Sequence, residues 1–136
     1  METNLRLRKA IRVQLRTFSL MFRNGEVDKP HVVRLILERN TEEALALLAK
    51  HYKVSVPKLK VGLPKGHRSK VLGCYSPRNQ TISLLSSNVI GNPFVILHEF
   101  YHHTRTSIDG RHKGTERNAD KFANEYISQY RATLSI

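Results

Sequence analysis

The stretch Pro93 to Arg105 reads PFVILHEFYHHTR, and it decides how the rest of this 136-residue chain is read. Asn92 and Pro93 at its start and Asp109-Gly110 beyond its end predict one helix, with Asn92 as N-cap and Pro93 in the first turn. Within it lies His98-Glu99-Phe100-Tyr101-His102, an HExxH pattern. Two histidines at this spacing stand one above the other on a single helical face. Their imidazoles can reach one divalent cation, and Glu99, the next residue round, can touch a water on that cation. A catalytic centre of this kind has three protein ligands and one open position, so the motif is one ligand short.

Two residues downstream are candidates for the missing ligand. A third histidine in the longer HExxHxxGxxH pattern would fall at Ile108, which excludes that arrangement. His112 is one candidate and Glu116 the other, and Glu116 is favoured. Thr115 is placed to cap a last helix, so Glu116 falls in its first turn, and Glu116 and Asp120 share one helical face. Glu116 can then bind the metal while Asp120 accepts the outer N–H of a ligating histidine, His98 or His102. A ligand at His112 would leave no role for carboxylates at that spacing. His103 falls outside the ligand spacing and is expected at the surface or behind the ligands, and His31, His51 and His67 have no metal partner in view. Cys74 is expected as a small core residue of a strand, with a thiolate on the metal as the alternative.

Working outward, residues 1–24 suggest a basic amphipathic helix. Leu7, Ile11, Leu15, Phe18 and Phe22 recur at helical steps, and Arg8, Arg12 and Arg16 share another face. It is either a docked helix with solvated arginines, a surface-binding helix or a detachable regulatory segment. Asn24-Gly25 is a break, after which Pro30 suits the first turn of a helix over Val32 to Glu38, although VVRLIL would also suit a strand. Thr41 is the expected cap of a helix carrying Leu45, Leu48, Ala49 and Tyr52 as a buried stripe. Three short strands are then expected: Lys58 to Leu63, Val71 to Tyr75 and Thr81 to Leu84, the last two forming a hairpin across Pro77-Arg78-Asn79. Ala119, Phe122, Ala123, Tyr126, Ile127 and Tyr130 form the apolar face of the last helix. The expectation is one α+β domain over 1–136, with a small, mainly antiparallel sheet packed on the HExxH helix and helices at both ends.

Charge narrows the partners. The chain has 23 Lys+Arg against 11 Asp+Glu, a net +12 with histidines neutral, which favours nucleic acid, an anionic surface or an acidic partner. No acidic residue falls between Glu43 and Glu99, an interval carrying Lys50, Lys53, Lys58, Lys60, Lys65, Arg68, Lys70 and Arg78. These either guard exposed sheet edges or form a basic face beside the cleft. A single cysteine excludes an internal disulfide and a cysteine-based zinc site, pointing to the cytoplasm. No apolar run approaches the ~20 residues needed to span a bilayer, so a soluble chain is expected.

HEFYHH followed by ERNADKFANEYI resembles the gluzincin metallopeptidases, whose signature is HExxH with a downstream ExxxD. With YSPRNQTISL before the motif helix, residues 41–132 are similar to the small single-domain minigluzincins. The resemblance implies a zincin core and one Zn(2+) held by His98, His102 and Glu116. It also implies Glu99 as general base and then acid, and Asp120 as orienter of a ligand histidine. Members of that group are described as latent, with a chain-terminal segment in the cleft, which implies a zymogen here. Phage-repressor and radiation-response peptidases share HExxH but come attached to a DNA-binding module, and no helix-turn-helix is evident. Spartan-like DNA-crosslink proteases share HExxH and a basic character, and would make His112 the third ligand.

The function expected is zinc-dependent hydrolysis of peptide bonds by an endopeptidase. Thr81, Ile82, Ser83 and Leu84 are the expected edge on which an extended peptide adds as a further strand. A second donor to the oxyanion is wanted, for which Tyr126, Tyr130, His103 and His112 are candidates. The reading from another class is a basic nucleic-acid-associated or regulatory module that keeps a zinc site without turnover.

Overall fold

The computed structural model describes residues 27–66, 71–110 and 112–135. The expected amphipathic helix of residues 1–24 lies outside them. The first described helix, α1 (Lys29–Leu37), begins where Asp28 accepts a hydrogen bond from the His31 N–H at 3.2 Å, with Pro30 in the first turn. That cap settles VVRLIL as helix: Val32, Val33, Leu35 and Ile36 all turn inward at helical spacing. The next helix, α2 (Thr41–Tyr52), buries Ala44, Leu45, Leu48 and Ala49 as expected, with Tyr52 half-buried. Its cap position is Asn40 rather than Thr41. Thr41 is buried in the first turn, and its hydroxyl donates to the Ile90 carbonyl at 2.6 Å, tying α2 to the 3-10 turn Ser87–Gly91 that leads into the motif helix.

Three strands follow, β1 (Lys58–Val61), β2 (Gly73–Ser76) and β3 (Thr81–Leu84). The β2–β3 hairpin forms antiparallel as expected, but β1 pairs parallel to β3 on its other side, giving the order β1-β3-β2. The sheet is therefore mixed rather than mainly antiparallel. Thr81, Ile82, Ser83 and Leu84, expected as the open edge, form the middle strand and are all buried. With both sides bonded to neighbours, β3 has no free backbone groups for a peptide. Strands taken in sequence order put β3 last and outermost, whereas in space β1 lies beyond it. Among the described residues, the open edges are β1 and β2.

The motif helix α3 (Pro93–Ile108) starts as expected, with Asn92 Oδ1 accepting from the Val95 N–H at 3.2 Å. It packs against β2 and β3. At Gly73 the hairpin meets α3 so closely that an added Cβ would stand 2.9 Å from Val95 Cγ1 and 3.2 Å from the Ser83 carbonyl oxygen. The last helix, α4 (Glu116–Leu134), is capped by Thr115, whose side chain accepts from the Asn118 N–H at 3.0 Å. Its buried residues are Ala119, Ala123 and Tyr126, flanked by half-buried Phe122, Ile127 and Tyr130. α4 lies against α3 in the most extensive packing of any two elements, with Phe122 against Phe100 and Tyr101, while α1 covers α4 in turn. One core runs through all of them, from Ile36, Leu45 and Leu48 to Ile82, Leu84, Phe100 and Tyr126.

These α3 and α4 starts matter for function, because each fixes the register of one helix against the other. The whole is an α+β fold, and no helix among the described residues is long and apolar enough to cross a membrane. Leu48→Ala and Ile82→Ala, at positions with no exposed surface, should each destabilise the protein by ~2–5 kcal/mol in urea unfolding. Leu134→Ala, at a side chain 65% exposed, should change stability by no more than ~0.5 kcal/mol.

Candidate metal centre

The ligand atoms of His98, Glu99 and His102 lie within 4.8 Å of one another and could hold a metal ion. Their convergence follows from the α3 register, which stacks the two imidazoles edge to face with centroids 5.0 Å apart. From α4, the Glu116 carboxylate reaches across to both rings. Its Oε1 is 3.0 Å from His98 Nε2 and its Oε2 is 2.8 Å from His102 Nε2. Glu99 Oε2 stands 4.0 Å from His98 Nε2.

The far nitrogens are held as well. Asp120 Oδ1 is 2.8 Å from His98 Nδ1, so of the two histidines open to it at the sequence level Asp120 takes His98. His102 Nδ1 is instead 2.5 Å from the backbone carbonyl of Lys113, a partner that no sequence pattern announces. That carbonyl can only accept, so Nδ1 of His102 carries the proton and Nε2 presents its lone pair. This Nε2 is buried and makes no hydrogen bond. The Glu116 oxygen at 2.8 Å is close enough but misaligned for donation, so the contact is one of position, not a hydrogen bond. His98 likewise has a carboxylate oxygen on each nitrogen. Acceptors facing acceptors call for positive charge between them, and two nitrogens with one carboxylate are a donor set that a metal ion suits.

Electrostatics agree with this layout. Burial pushes the Glu99 carboxyl up to about 7; His98 pulls it back, Glu116 pushes it further, and Lys113 pulls it back. Burial also pushes Glu116 upward, but the His98 hydrogen bond and the charges of His102, His98 and Lys113 outweigh it and hold this carboxyl below its usual range. Cys74, half-buried on β2, is pushed up by burial and by Glu99 and pulled down by Lys113. It sits on a strand that packs against α3 and is only partly buried.

None of the four expected oxyanion donors is among the residues that build the cluster. Tyr126 is fully buried, and its hydroxyl is 2.6 Å from that of Tyr52. Tyr130 packs half-buried against the core. His103 is also fully buried rather than at the surface, with Nε2 donating to the Ser55 carbonyl and Nδ1 facing the Tyr75 hydroxyl, both at 2.7 Å. The sequence did carry a signal for His103: with Ile96 and Phe100 it continues the apolar stripe at steps of four and three. His112 is exposed, its N–H bonds to the Asp109 carbonyl, and none of the contacts that build the cluster involves it. No protein-family pattern matches the chain, and no curated protein or solved structure is similar enough to it to count as a match.

The Lys113 carbonyl is held in place by the residue after it. Gly114 has φ +77°, and a Cβ there would fall 2.5 Å from Tyr101 Cε2 and 2.9 Å from its hydroxyl. Gly114→Ala should therefore shift the carbonyl off His102, and Asp120→Ala should release His98. Each should weaken metal binding ~10–100-fold in a chelator competition titration. A second expectation concerns the chelator-treated protein. Because the Glu99 carboxyl is raised on folding, its ionisation opposes folding: the effect is absent below the unfolded value of 4.5 and grows until pH exceeds about 7. Glu99→Gln should then stabilise the metal-free protein by about 3 kcal/mol at pH 8 and have little effect at pH 4.5, as measured by urea unfolding.

Proposed function

We propose that the chain is a zinc-dependent peptidase of the gluzincin type. The observation that carries this reading is the Glu116 carboxylate facing two imidazole Nε2 atoms, one of them buried without a hydrogen bond, beside a buried Glu99. Two histidines and one carboxylate are the protein ligands of one class of hydrolytic zinc centre, with a position left for water. A bound zinc ion would need these donor atoms slightly farther apart than the 2.8–3.0 Å at which they stand. Glu116, whose side chain is 70% exposed, has room to swing out by the few tenths of an ångström required.

In this reading His98, His102 and Glu116 hold the ion, while Asp120 and the Lys113 carbonyl fix the ring orientations. A zinc ion held there would supply Lewis acidity and make a water acidic enough to act as nucleophile. Glu99 accepts a proton as the water oxygen bonds to the scissile carbonyl carbon. It then passes that proton to the amine as the C–N bond breaks, leaving a carboxyl and an amino terminus. Burial favours the protonated form of Glu99, the form that must hand the proton on in the second half of that transfer. The substrate strand is assigned to β2, which among the described residues is an open edge and packs against α3.

The second reading, a regulatory or nucleic-acid-associated module with zinc but no turnover, rests on exposed Lys50, Lys53, Lys58, Lys60 and Lys65. The two separate in one experiment: zinc content and casein cleavage for the unsubstituted chain, Glu99→Gln, Glu116→Ala and His112→Ala. The peptidase reading expects one zinc and cleavage in the first. Glu99→Gln should keep zinc and lose cleavage by ~10²-fold or more, Glu116→Ala should lose zinc, and His112→Ala should keep both. Zinc without cleavage in any variant, together with DNA binding that weakens steeply with salt, would favour the module.

A further inference from the structure

His102 takes its orientation from a loop, since its Nδ1 meets the Lys113 carbonyl on the segment between α3 and α4. That segment has few ties of its own. The His112 N–H bonds to the Asp109 carbonyl at 3.1 Å, Thr115 is engaged in capping α4, and the side chains of His112 and Lys113 are exposed. Gly114 is what meets α3. A Cβ there would stand 2.5 Å from Tyr101 Cε2, 2.9 Å from the Tyr101 hydroxyl oxygen and 3.0 Å from Arg105 Cγ, so the glycine α-carbon lies in contact with both side chains. Tyr101 and Arg105 stand one turn apart on α3 and form a seat for this corner beside His102.

The two sides of the seat differ in stiffness. The Arg105 stem has several rotatable bonds and is half-buried. The Tyr101 ring is pinned instead. Phe122 of α4 lies against it with centroids 5.7 Å apart, and the His102 ring meets it edge-on at 5.8 Å. Unlike the hydroxyls of Tyr52, Tyr75 and Tyr126, the Tyr101 hydroxyl forms no hydrogen bond among the described residues. What Tyr101 offers the corner is therefore the ring itself. The place of the corner matters because a neutral imidazole has two tautomers. The carbonyl on Nδ1 selects the one whose Nε2 lone pair looks toward Glu116.

We propose that Tyr101 is a positioning residue of the metal centre, its ring seating the Lys113–Gly114 corner so that the Lys113 carbonyl holds His102 in the tautomer that turns a lone pair to the ion. The ligand role of His102 rests on the peptidase reading above; the seating does not.

The test uses the full chain, isotope-labelled, as the unsubstituted protein and as Tyr101→Phe, Tyr101→Leu and Tyr101→Met. Long-range proton–nitrogen spectra of the metal-free chains read the tautomer of each histidine ring, and zinc affinity is then taken from chelator competition. His102 should be the Nδ1–H tautomer with a slowly exchanging proton in the unsubstituted chain and in Tyr101→Phe. In Tyr101→Leu and Tyr101→Met, which lack a stiff ring, that proton should exchange ~10-fold faster or more and zinc should bind ~10-fold more weakly. Zinc affinity of Tyr101→Phe should stay within about threefold of the unsubstituted chain. His103 is the internal control: its Nε2–H is bonded to the Ser55 carbonyl, has no part in the corner, and should be unchanged in all four chains. If His102 keeps its tautomer and slow exchange in both Tyr101→Leu and Tyr101→Met, the seating role is wrong. If His103 changes together with His102, α3 itself has loosened and the role is equally overturned. If His102 responds as expected but no chain takes up zinc, the seating stands and the peptidase reading falls.

Discussion

The centre of this molecule depends on how closely α4 lies against α3. Ala119 and Ala123 on α4 are fully buried, and the two helices also meet through Phe122, which packs against Phe100 and Tyr101 of α3. The approach sets Glu116 opposite two imidazoles and Asp120 behind one of them. A larger residue at either alanine would have to enter a filled interior and would disturb the seat of α4, on which the reach of both carboxylates depends. The caps at Asn92 and Thr115 complete the constraint by fixing where each helix begins, hence which residues face each other.

This geometry places unfavourable electrostatics where chemistry would need them. Glu99 is an acid in a buried setting, and the two histidines have carboxylates on their metal-facing sides. Left to side-chain packing alone, the cluster is a local liability, since unpaired buried polar atoms and buried charge both oppose folding. The surrounding structure holds it regardless. His103, one residue past His102, is locked between Tyr75 and Ser55, so the middle of α3 is tied to β2 and to the segment before β1. Phe100 and Tyr126 fill the core beneath.

Much of the site was legible in the sequence because it depends on helical periodicity. His98, Glu99 and His102 share a motif of fixed pitch, and Glu116 and Asp120 repeat at one helical turn. Strong cap residues at Asn92 and Thr115 removed doubt about register. What was hidden depends on features without a side-chain signature. The Lys113 carbonyl belongs to the backbone and could stand beneath any residue type. The placement of β3 between β1 and β2 depends on a parallel pairing of strands separated in sequence, and a TISL run looks the same at an edge or in the middle. Thr41 illustrates a subtler case: its hydroxyl suited a cap, but the nearby Ile90 carbonyl offered it a tertiary partner instead.

The division of labour at positions 113 and 114 has an evolutionary side. The contact that orients His102 passes through a carbonyl every amino acid possesses, so position 113 can vary without dismantling the ligand set. Position 114 has no such freedom, because its positive φ and the Tyr101 ring against it exclude a side chain. The requirement that this corner places on the sequence is therefore concentrated in a single glycine.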